Sequence, residues 1–224
     1  MKELKNKDLF KNEKEIALLS MFIEQNFSKE KRGWLEVVCG SMFSGKTEEL
    51  IRRLKRAQIA NLKVVIYKPA TDTRYDKEKV VSHDANAVPS IPIDFAKNIL
   101  LHVADADVVG IDEAQFLTRE QVNQALEIAV LDGVPVLAYG IRTDFQTKGF
   151  PGSLRLLEIA HTLEELKTIC RCGKKAMFNA RKLGGDFIFT GNQVAIDGDV
   201  VTYESLCASC YFKECEAAGA NPLQ

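Results

Sequence analysis

The chain has 224 residues, of which 46% are hydrophobic and 27% are charged, and its net charge is −1. This length and composition fit one α/β domain with a small appendage. The 30 basic residues are balanced by 31 acidic residues. The chain therefore lacks the basic excess of a duplex-DNA binder, and this balance favours a small-molecule enzyme. The longest early apolar run, residues 16–23, is too short to cross a membrane and no cleavage pattern follows it, so we expect a cytoplasmic protein without membrane or nucleic-acid partners.

Residues 1–32 are rich in Lys and Glu, which predicts a disordered N-terminal extension. From Trp34 onward the pattern becomes regular, with short apolar runs separated by stretches of helical spacing. The predicted strands are 35–39, 63–67, 108–111, 134–138 and 166–169, and the predicted helices are 47–61, 93–104, 118–131 and 153–161.

Strands that alternate with helices predict right-handed βαβ units, and hence a parallel sheet flanked by helices over residues 33–169. On the first predicted helix, apolar residues share one face. The basic residues on the other face indicate that this face is solvated. They are Arg52, Arg53, Lys55 and Arg56. After residue 169, short β-like segments lie between cysteine pairs and predict a small metal-held unit over 170–215, followed by a tail over 216–224.

A phosphate-binding loop is predicted where residues 40–47 read GSMFSGKT, matching G-x-x-x-x-G-K-[ST] between a strand and an amphipathic helix. Glycine lets successive backbone N–H groups converge on phosphate oxygens. Lys46 adds positive charge at the β- and γ-phosphates, and Thr47 offers its hydroxyl to Mg²⁺. We therefore predict that ATP is bound by Gly40, Ser41, Met42, Phe43, Ser44, Gly45, Lys46 and Thr47.

Asp112 and Glu113 directly follow the predicted strand 108–111. A parallel sheet would bring them to the same edge as the phosphate loop. Because side chains alternate along a strand, the two acids need not share a role. One suits Mg²⁺ and its waters, and the other can reach a substrate hydroxyl.

Two close cysteine pairs, Cys170-x-Cys172 and Cys207-x-x-Cys210, predict a four-cysteine zinc site. Such a site would stabilise a unit too small for a sufficient core. Cys39 is interpreted as a buried hydrophobic residue and Cys215 as incidental. No metal role is assigned to any of the three histidines, which are His83, His102 and His161.

Several segments closely resemble the cytosolic-type (type II) thymidine kinases. They are GSMFSGKT at 40–47, DTRY at 72–75, DEAQF at 112–116 and YGIRTDF at 139–145, and LKTICRCG at 166–173 resembles a bacterial branch of that family. The resemblance runs from about residue 34 to 210 in family order. It implies a RecA-like P-loop α/β domain, a zinc-bound β lasso domain and a homotetramer. It also implies transfer of phosphate from ATP-Mg²⁺ to thymidine or deoxyuridine, with feedback inhibition by thymidine triphosphate.

The resemblance also implies roles for individual residues. Glu113 falls on the family's general base, and Thr47, Asp112 and Asp72 on positions near Mg²⁺. The phosphate site would include Asp112, Glu113, Ala114 and Gln115. Substrate positions would be Arg74, Met42, Phe116, Phe145, Phe150, Gln193, Val194, Ala195 and Tyr203, with the backbone at 193–195 binding the thymine edge and Asn179 near its methyl group.

Two other functions share part of this pattern. A RecA-like, nucleic-acid-dependent ATPase with a zinc ribbon would carry the same loop, acids and cysteines, but the near-neutral charge and short chain argue against it. A non-catalytic nucleotide-binding scaffold would not need Lys46, Thr47 and Glu113 together. We further expect the zinc unit and the ATP site to be largely independent, so that zinc loss weakens nucleoside binding much more than ATP binding.

Overall fold

The computed structural model describes residues 33–69, 79–81, 87–94, 99, 103, 105–194 and 201–221. The predicted extension 1–32 lies outside the described residues, as do Asp72, Arg74, Ala195, His83 and His102. Among the helices of the described ranges, none combines the length and apolar composition that crossing a membrane would need.

In chain order the strands are β1 Leu35–Cys39, β2 Val64–Pro69, β3 Lys79–Val81, β4 Ala87–Pro89, β5 Ile91–Ile93, β6 Val108–Ile111, β7 Val136–Gly140, β8 Thr162–Glu165, β9 Thr168–Ile169, β10 Lys175–Ala176, β11 Phe178–Leu183, β12 Asp186–Ile188 and β13 Val201–Leu206. The helices are α1 Lys46–Ile59, α2 Arg119–Leu131, α3 Pro151–Ile159 and α4 Ala208–Ala217, with a 3₁₀ turn at Ala114–Phe116.

Within the described residues, six strands form one sheet in the order β5-β2-β6-β7-β1-β8, and every pairing is parallel. This confirms the predicted α/β class with a central parallel sheet. β1 and β6 occupy the predicted bounds. α2 follows a capping box in which the Thr118 hydroxyl accepts from the backbone of Gln121, whose side chain accepts from the Thr118 N–H.

Two predicted elements are displaced by two residues. The predicted strand 134–138 is β7 at Val136–Gly140, because Pro135 has no N–H to donate and ladder pairing with β1 begins at Val136. The predicted helix 153–161 is α3, which begins at Pro151 because proline suits the first helical position.

Two other predictions are wrong. The edge strand is β8 at Thr162–Glu165 and not 166–169, of which Thr168–Ile169 pairs instead with β10 in a separate hairpin. The predicted helix 93–104 cannot start at Ile93, which ends strand β5. Of the remaining positions in that range, only Asp94, Ile99 and Val103 belong to the described residues.

Both faces of the sheet are covered, so all residues of β1 are buried. On one face the side chains of Leu35 and Val37 pack in a cluster with α2, while on the other face Val38 packs against Leu50 and Leu54 of α1. This two-sided burial accounts for the near-continuous apolar runs of the sequence.

The expected solvated basic face of α1 is wrong at one position. Arg53 is only 8% exposed and donates to Glu36 of β1 at 2.5 Å, to Glu49 at 2.8 Å and to Glu164 of β8 at 2.7 Å. Arg52 on the same helix remains exposed. The buried guanidinium donates hydrogen bonds to carboxylates of the sheet, and these bonds fix α1 against β1 and β8.

The cysteine-bearing part of the chain has its own small core. The β9–β10 hairpin, a three-stranded antiparallel sheet in the order β12-β11-β13 and helix α4 pack around Ala180, Leu206 and Tyr211. The β segments were predicted, but α4 was not. Its first turn contains Cys210, and Cys207 occupies its N-cap position.

Candidate active site and cysteine cluster

The phosphate loop links the end of β1 to the start of α1. Gly45 caps the helix with φ 78° and no side-chain hydrogen bond, so no capping side chain blocks the N-terminus of α1. A helix terminus of this kind binds anions through its N–H groups and its dipole. Gly40 is confined as well, because a Cβ there would lie 2.5 Å from Ser44 Oγ and 2.6 Å from Leu166 O.

Lys46 curls back over its own loop. Its Nζ donates to the carbonyl of Ser41 at 2.8 Å and to Ser44 Oγ at 3.3 Å. Burial lowers the pKa of Lys46, while the nearby carboxylates of Glu113 and Asp112 oppose that shift. The ammonium group is therefore held inside the loop where phosphates would lie, with the acid pair beside it.

The parallel sheet brings the acid pair to the loop. Asp112, at the end of β6, is 6% exposed and lies with its carboxylate oxygens 3.2 and 3.3 Å from Thr47 Oγ1. A hydroxyl and a carboxylate at this separation are the oxygen ligands that Mg²⁺ prefers beside phosphates. The residues present thus fit a magnesium ion.

The side chain of Glu113 has a different partner from that of Asp112. Its backbone is left-handed, with φ 49°, and its carboxylate accepts a hydrogen bond from Nε2 of Gln115. Oε1 of Gln115 in turn accepts from the N–H of Ile141 at 3.2 Å. Gln115 is 2% exposed and Ala114 is fully buried, so the Gln115 side chain links Glu113 to the strand end of β7.

The predicted aromatic wall positions lie on the loop after β7 and around it. Phe145 and Phe150 are buried, and Phe116 meets Phe150 edge-on with ring centroids 5.5 Å apart. Tyr203 is half-buried on β13, and Gln193 and Val194 lie at the end of the described segment before it.

Arg181 is a residue that sequence reasoning missed. It is 4% exposed on β11, and its guanidinium lies 3.7 Å from the Phe145 ring centroid. It donates to the Tyr203 hydroxyl at 3.0 Å and to the carbonyls of Asn192 and Gln193 at 2.7 and 2.8 Å. Arg181 therefore connects several of the predicted pocket positions to one another through its guanidinium group. No local pattern marks it, because an arginine at this position of a strand looks like a surface residue.

Met42, the remaining predicted wall position, is half-buried where the phosphate loop meets the cysteine-bearing unit. Its backbone N–H donates to Oδ1 of Asn179, and its carbonyl accepts from the hydroxyl of Ser205. Both partners belong to that unit, and neither was predicted to contact the loop.

The four predicted cysteines come together. The sulfur atoms of Cys170, Cys172, Cys207 and Cys210 all lie within 4.8 Å of one another. Cys172 Sγ is 3.6 Å from Cys170 Sγ and 3.5 Å from Cys207 Sγ. Tetrahedral thiolates about 2.3 Å from zinc would be about 3.8 Å apart, so this cluster fits a metal ion.

Backbone N–H groups favour the ionised form of two cysteines of this cluster, Cys170 and Cys207. Burial alone would raise the pKa of Cys170, but the N–H groups of Cys172 and Cys207 lower it to about 6. The N–H of Cys210 similarly lowers the pKa of Cys207. The neighbouring sulfurs of Cys172 and Cys170 raise the pKa of Cys210 to about 12.

The two remaining cysteines are buried, and the described histidine bonds the backbone. Burial raises the pKa of the Cys39 thiol, which packs in the core of the sheet. Cys215 is fully buried against Tyr211. His161 Nδ1 accepts from the backbone N–H of Leu35 at 3.0 Å, which is a structural contact.

A phosphate loop that lies beside carboxylates at one edge of a parallel sheet places the chain in the class of P-loop nucleotide-binding proteins. The family model described as "Thymidine kinase" matches residues 33–211. The thymidine kinase of Bacteroides thetaiotaomicron is 43% identical over 195 residues, covering 86% of this chain and 94% of the relative. That of Porphyromonas gingivalis is 45% identical over 193 residues, covering 85% and 91%. That of Rhodothermus sp. is 42% identical over 180 residues, covering 80% and 81%.

The chain belongs to the thymidine kinase family. This membership confirms the resemblance inferred from the loop, acid and cysteine motifs. It also disfavours a nucleic-acid-dependent ATPase, which would share the phosphate loop but not a family match over most of the chain.

The contact between Gln115 and Glu113 predicts a specific kinetic defect. Gln115→Met keeps the side-chain length but removes both hydrogen bonds, so Glu113 loses a donor that orients it. We expect kcat to fall about tenfold or more with little change in the KM for ATP, measured by steady-state kinetics.

Gln121→Met is a matched control, because Gln121 is also buried and also uses both ends of its amide, bonding Thr118 N–H and the Asp94 carbonyl. Both variants should lose stability, but only Gln115→Met should lose kcat. Equal kcat in the two variants would show that the Gln115 contact has no bearing on turnover.

Proposed function

We propose that this chain transfers the terminal phosphate of ATP to the 5′-hydroxyl of thymidine, with deoxyuridine as an alternative acceptor. Membership of the thymidine kinase family supports the reaction. The observation that carries it is the approach of Thr47 Oγ1 to the Asp112 carboxylate at 3.2 Å, because it joins the phosphate loop of β1 to the acid pair of β6 at one edge of the sheet.

On the nucleotide side, residues 40–47 and the segment Asp112–Gln115 form the proposed phosphate site. N–H groups at the start of α1 bind phosphate oxygens, and Lys46, whose Nζ donates to Ser41 and Ser44, directs its remaining N–H at a phosphate oxygen. Thr47 and Asp112 would hold Mg²⁺, with Asp72 as a further proposed carboxylate from outside the described residues. The ion would supply charge neutralisation at the phosphates.

Glu113 is the proposed general base. Phosphoryl transfer has a loose transition state, so the chain mainly has to align the acceptor and accept its proton. The carboxylate of Glu113 is half-buried, and Gln115 binds one of its oxygens. Glu113 can then accept a hydrogen bond from the 5′-hydroxyl and align it with the terminal phosphate.

The proposed nucleoside pocket lies between the phosphate loop and the cysteine-bearing unit. Its apolar wall comprises Met42, Phe116, Phe145, Phe150 and Tyr203, and peptide groups at 193–195 bind the thymine edge. Arg181 supports this arrangement because its guanidinium lies over the Phe145 ring and donates to the Asn192 and Gln193 carbonyls. Arg74, proposed near the sugar, lies outside the described residues together with Ala195.

We propose that the cysteine cluster holds a structural zinc ion. Four sulfur ligands close the coordination sphere, leaving no position for a reacting water. The separate core around Ala180 and Tyr211 supports a domain boundary near residue 170, with a kinase domain at 33–169 and a zinc-bound lasso at 170–215. The division of the remaining chain into an extension and a C-terminal tail stays a prediction.

A panel assay tests the function directly. The purified chain is incubated with ATP and Mg²⁺ and with thymidine, deoxyuridine, deoxycytidine or uridine, and nucleoside monophosphate is measured by chromatography. We expect thymidine monophosphate, and deoxyuridine monophosphate at a comparable or lower rate. ATP hydrolysis that requires single-stranded DNA, without any nucleoside monophosphate, would instead favour the ATPase.

Glu113→Gln should lower kcat by roughly 10²- to 10⁴-fold, because glutamine cannot accept the proton. The new amide can still accept the hydrogen bond from Gln115, so ATP affinity should be unchanged in a calorimetric titration. Glu127→Gln, an exposed change on α2, is the control and should keep wild-type kcat. A Glu113→Gln enzyme with near-native turnover would remove Glu113 from the role of base.

Metal analysis by mass spectrometry should find about one zinc ion per chain. Cys172→Ser should lose most of this zinc, whereas Cys215→Ala, which alters a buried cysteine outside the cluster, should retain it. Retention of full zinc by Cys172→Ser would contradict a four-cysteine site.

The family resemblance also suggests a homotetramer and inhibition by thymidine triphosphate, and the sequence itself suggests a cytoplasmic location. These remain predictions. Sedimentation of the 25.0 kDa chain should give a mass of about 100 kDa for four copies. Thymidine triphosphate should inhibit the thymidine reaction. A monomeric mass, or insensitivity to the triphosphate, would contradict the respective proposal.

A further inference from the structure

One peptide unit of the phosphate loop, between Ser41 and Met42, is held from two sides. Its N–H, on Met42, donates to Oδ1 of Asn179 at 2.7 Å. Its C=O, on Ser41, accepts from Lys46 Nζ at 2.8 Å. Because a peptide unit is planar and rigid, the bond to Asn179 also fixes the direction of the carbonyl that receives Lys46.

The next peptide group is held by the same unit. Ser205 Oγ donates to the carbonyl of Met42 at 2.6 Å. Asn179 of β11 and Ser205 of β13 are directly paired across the antiparallel ladder, so their side chains emerge together on one face. They bind the two backbone polar groups of a single loop residue.

The orientation of the Asn179 amide is fixed by its partners. Oδ1 must face the Met42 donor, and Nδ2 donates to the carbonyl of Thr143 at 3.0 Å. Asn179 and Ser205 are 3% and 8% exposed, so these bonds are shielded from water. A buried hydrogen bond of this kind is costly to lose, since its partner would remain unsatisfied.

The loop needs such support. Phe43, directly after Met42, has φ 61°, a left-handed conformation that non-glycine residues rarely adopt. Its side chain is 58% exposed and does not pack in the core. Strained backbone of this kind persists where the surroundings hold it, and the bonds to the preceding residue are such a constraint.

The cysteine cluster anchors the C-terminal end of β13, the same end that carries Ser205. Ser205 is followed by the fully buried Leu206, whose carbonyl accepts from the N–H of Met177, and then by Cys207 of the cluster. The structure thus connects the cysteine cluster to the phosphate loop through two residues of β13.

We propose that Asn179 and Ser205 are positioning residues for the phosphate loop: they hold the peptide groups of Met42 and thereby set the place of Lys46 and the affinity for ATP-Mg²⁺. This inference rests on the proposed binding of ATP at residues 40–47. It reverses the expectation that the cysteine-bearing unit and the ATP site are largely independent, because the bonds act before any nucleoside is present.

The test measures ATP-Mg²⁺ binding by isothermal titration calorimetry in the absence of nucleoside. Asn179→Ala should raise Kd about tenfold, as expected for the loss of a buried hydrogen bond, and Ser205→Ala should raise it several-fold. The stoichiometry should stay near one site per chain, because the folded molecules bind weakly. A merely structural role would lower the stoichiometry and leave the Kd of the folded fraction unchanged.

Glu204→Gln is the matched control. Glu204 precedes Ser205 on β13, points to the other face and forms ion pairs with Lys182 and Arg171, so its loss perturbs the same strand without removing a bond to the phosphate loop. Its Kd for ATP-Mg²⁺ should equal that of the wild type. Metal content and thermal unfolding are measured for each variant, and if Asn179→Ala does not fold, Ser205→Ala decides the question.

Folded variants at both positions with a Kd within twofold of the wild type would overturn the positioning role while leaving the proposed function intact. An equal loss of affinity in Glu204→Gln would overturn it too. A wild-type protein that binds no ATP-Mg²⁺ would overturn the proposed function itself, and the positioning role with it.

Discussion

The parallel direction of all six strands in the described sheet is the constraint on which the rest of the site depends. It brings the ends of β1 and β6 to one edge, although β7 lies between them, and so allows Thr47 to reach Asp112. The intervening strand must not obstruct this approach. It ends at Gly140, where a Cβ would lie only 2.6 Å from Oε1 of Gln115, so the absence of a side chain there makes room for the group that contacts Glu113.

The two neighbouring acids have different partners because the chain turns sharply between strand and 3₁₀ turn. Asp112 continues the direction of β6 toward Thr47, whereas Glu113, with φ 49°, is rotated toward Gln115. A left-handed non-glycine residue is unfavourable by itself, and strain of this kind concentrates at functional sites. Simple strand alternation predicted that the acids would separate. The contacts that separate them come from the turn, which alternation does not describe.

Local patterns predicted those parts of the structure that local physics determines. The apolar runs of β1 and β6, the phosphate loop and each of the two cysteine pairs are patterns of residues close together in sequence. The edge strand β8 was misplaced because a strand paired on one side needs fewer apolar residues, and Thr162 and Glu164 are only partly buried. The contacts of Arg53, Asn179 and Arg181 were missed for another reason. Each looks like an ordinary polar residue, and its burial depends on partners far away in sequence.

Besides the bonds of Asn179 and Ser205, other hydrogen bonds join the cysteine-bearing unit to the sheet domain. Tyr211 of α4 donates to the carbonyl of Phe145 at 2.6 Å, and Gln146 donates to the carbonyls of Phe189 and Gly191 at 3.2 Å. Such directional bonds transmit position more strictly than apolar contact, because they fail at small displacements. The cysteine-bearing unit thereby constrains both the loop after β7 and the phosphate loop.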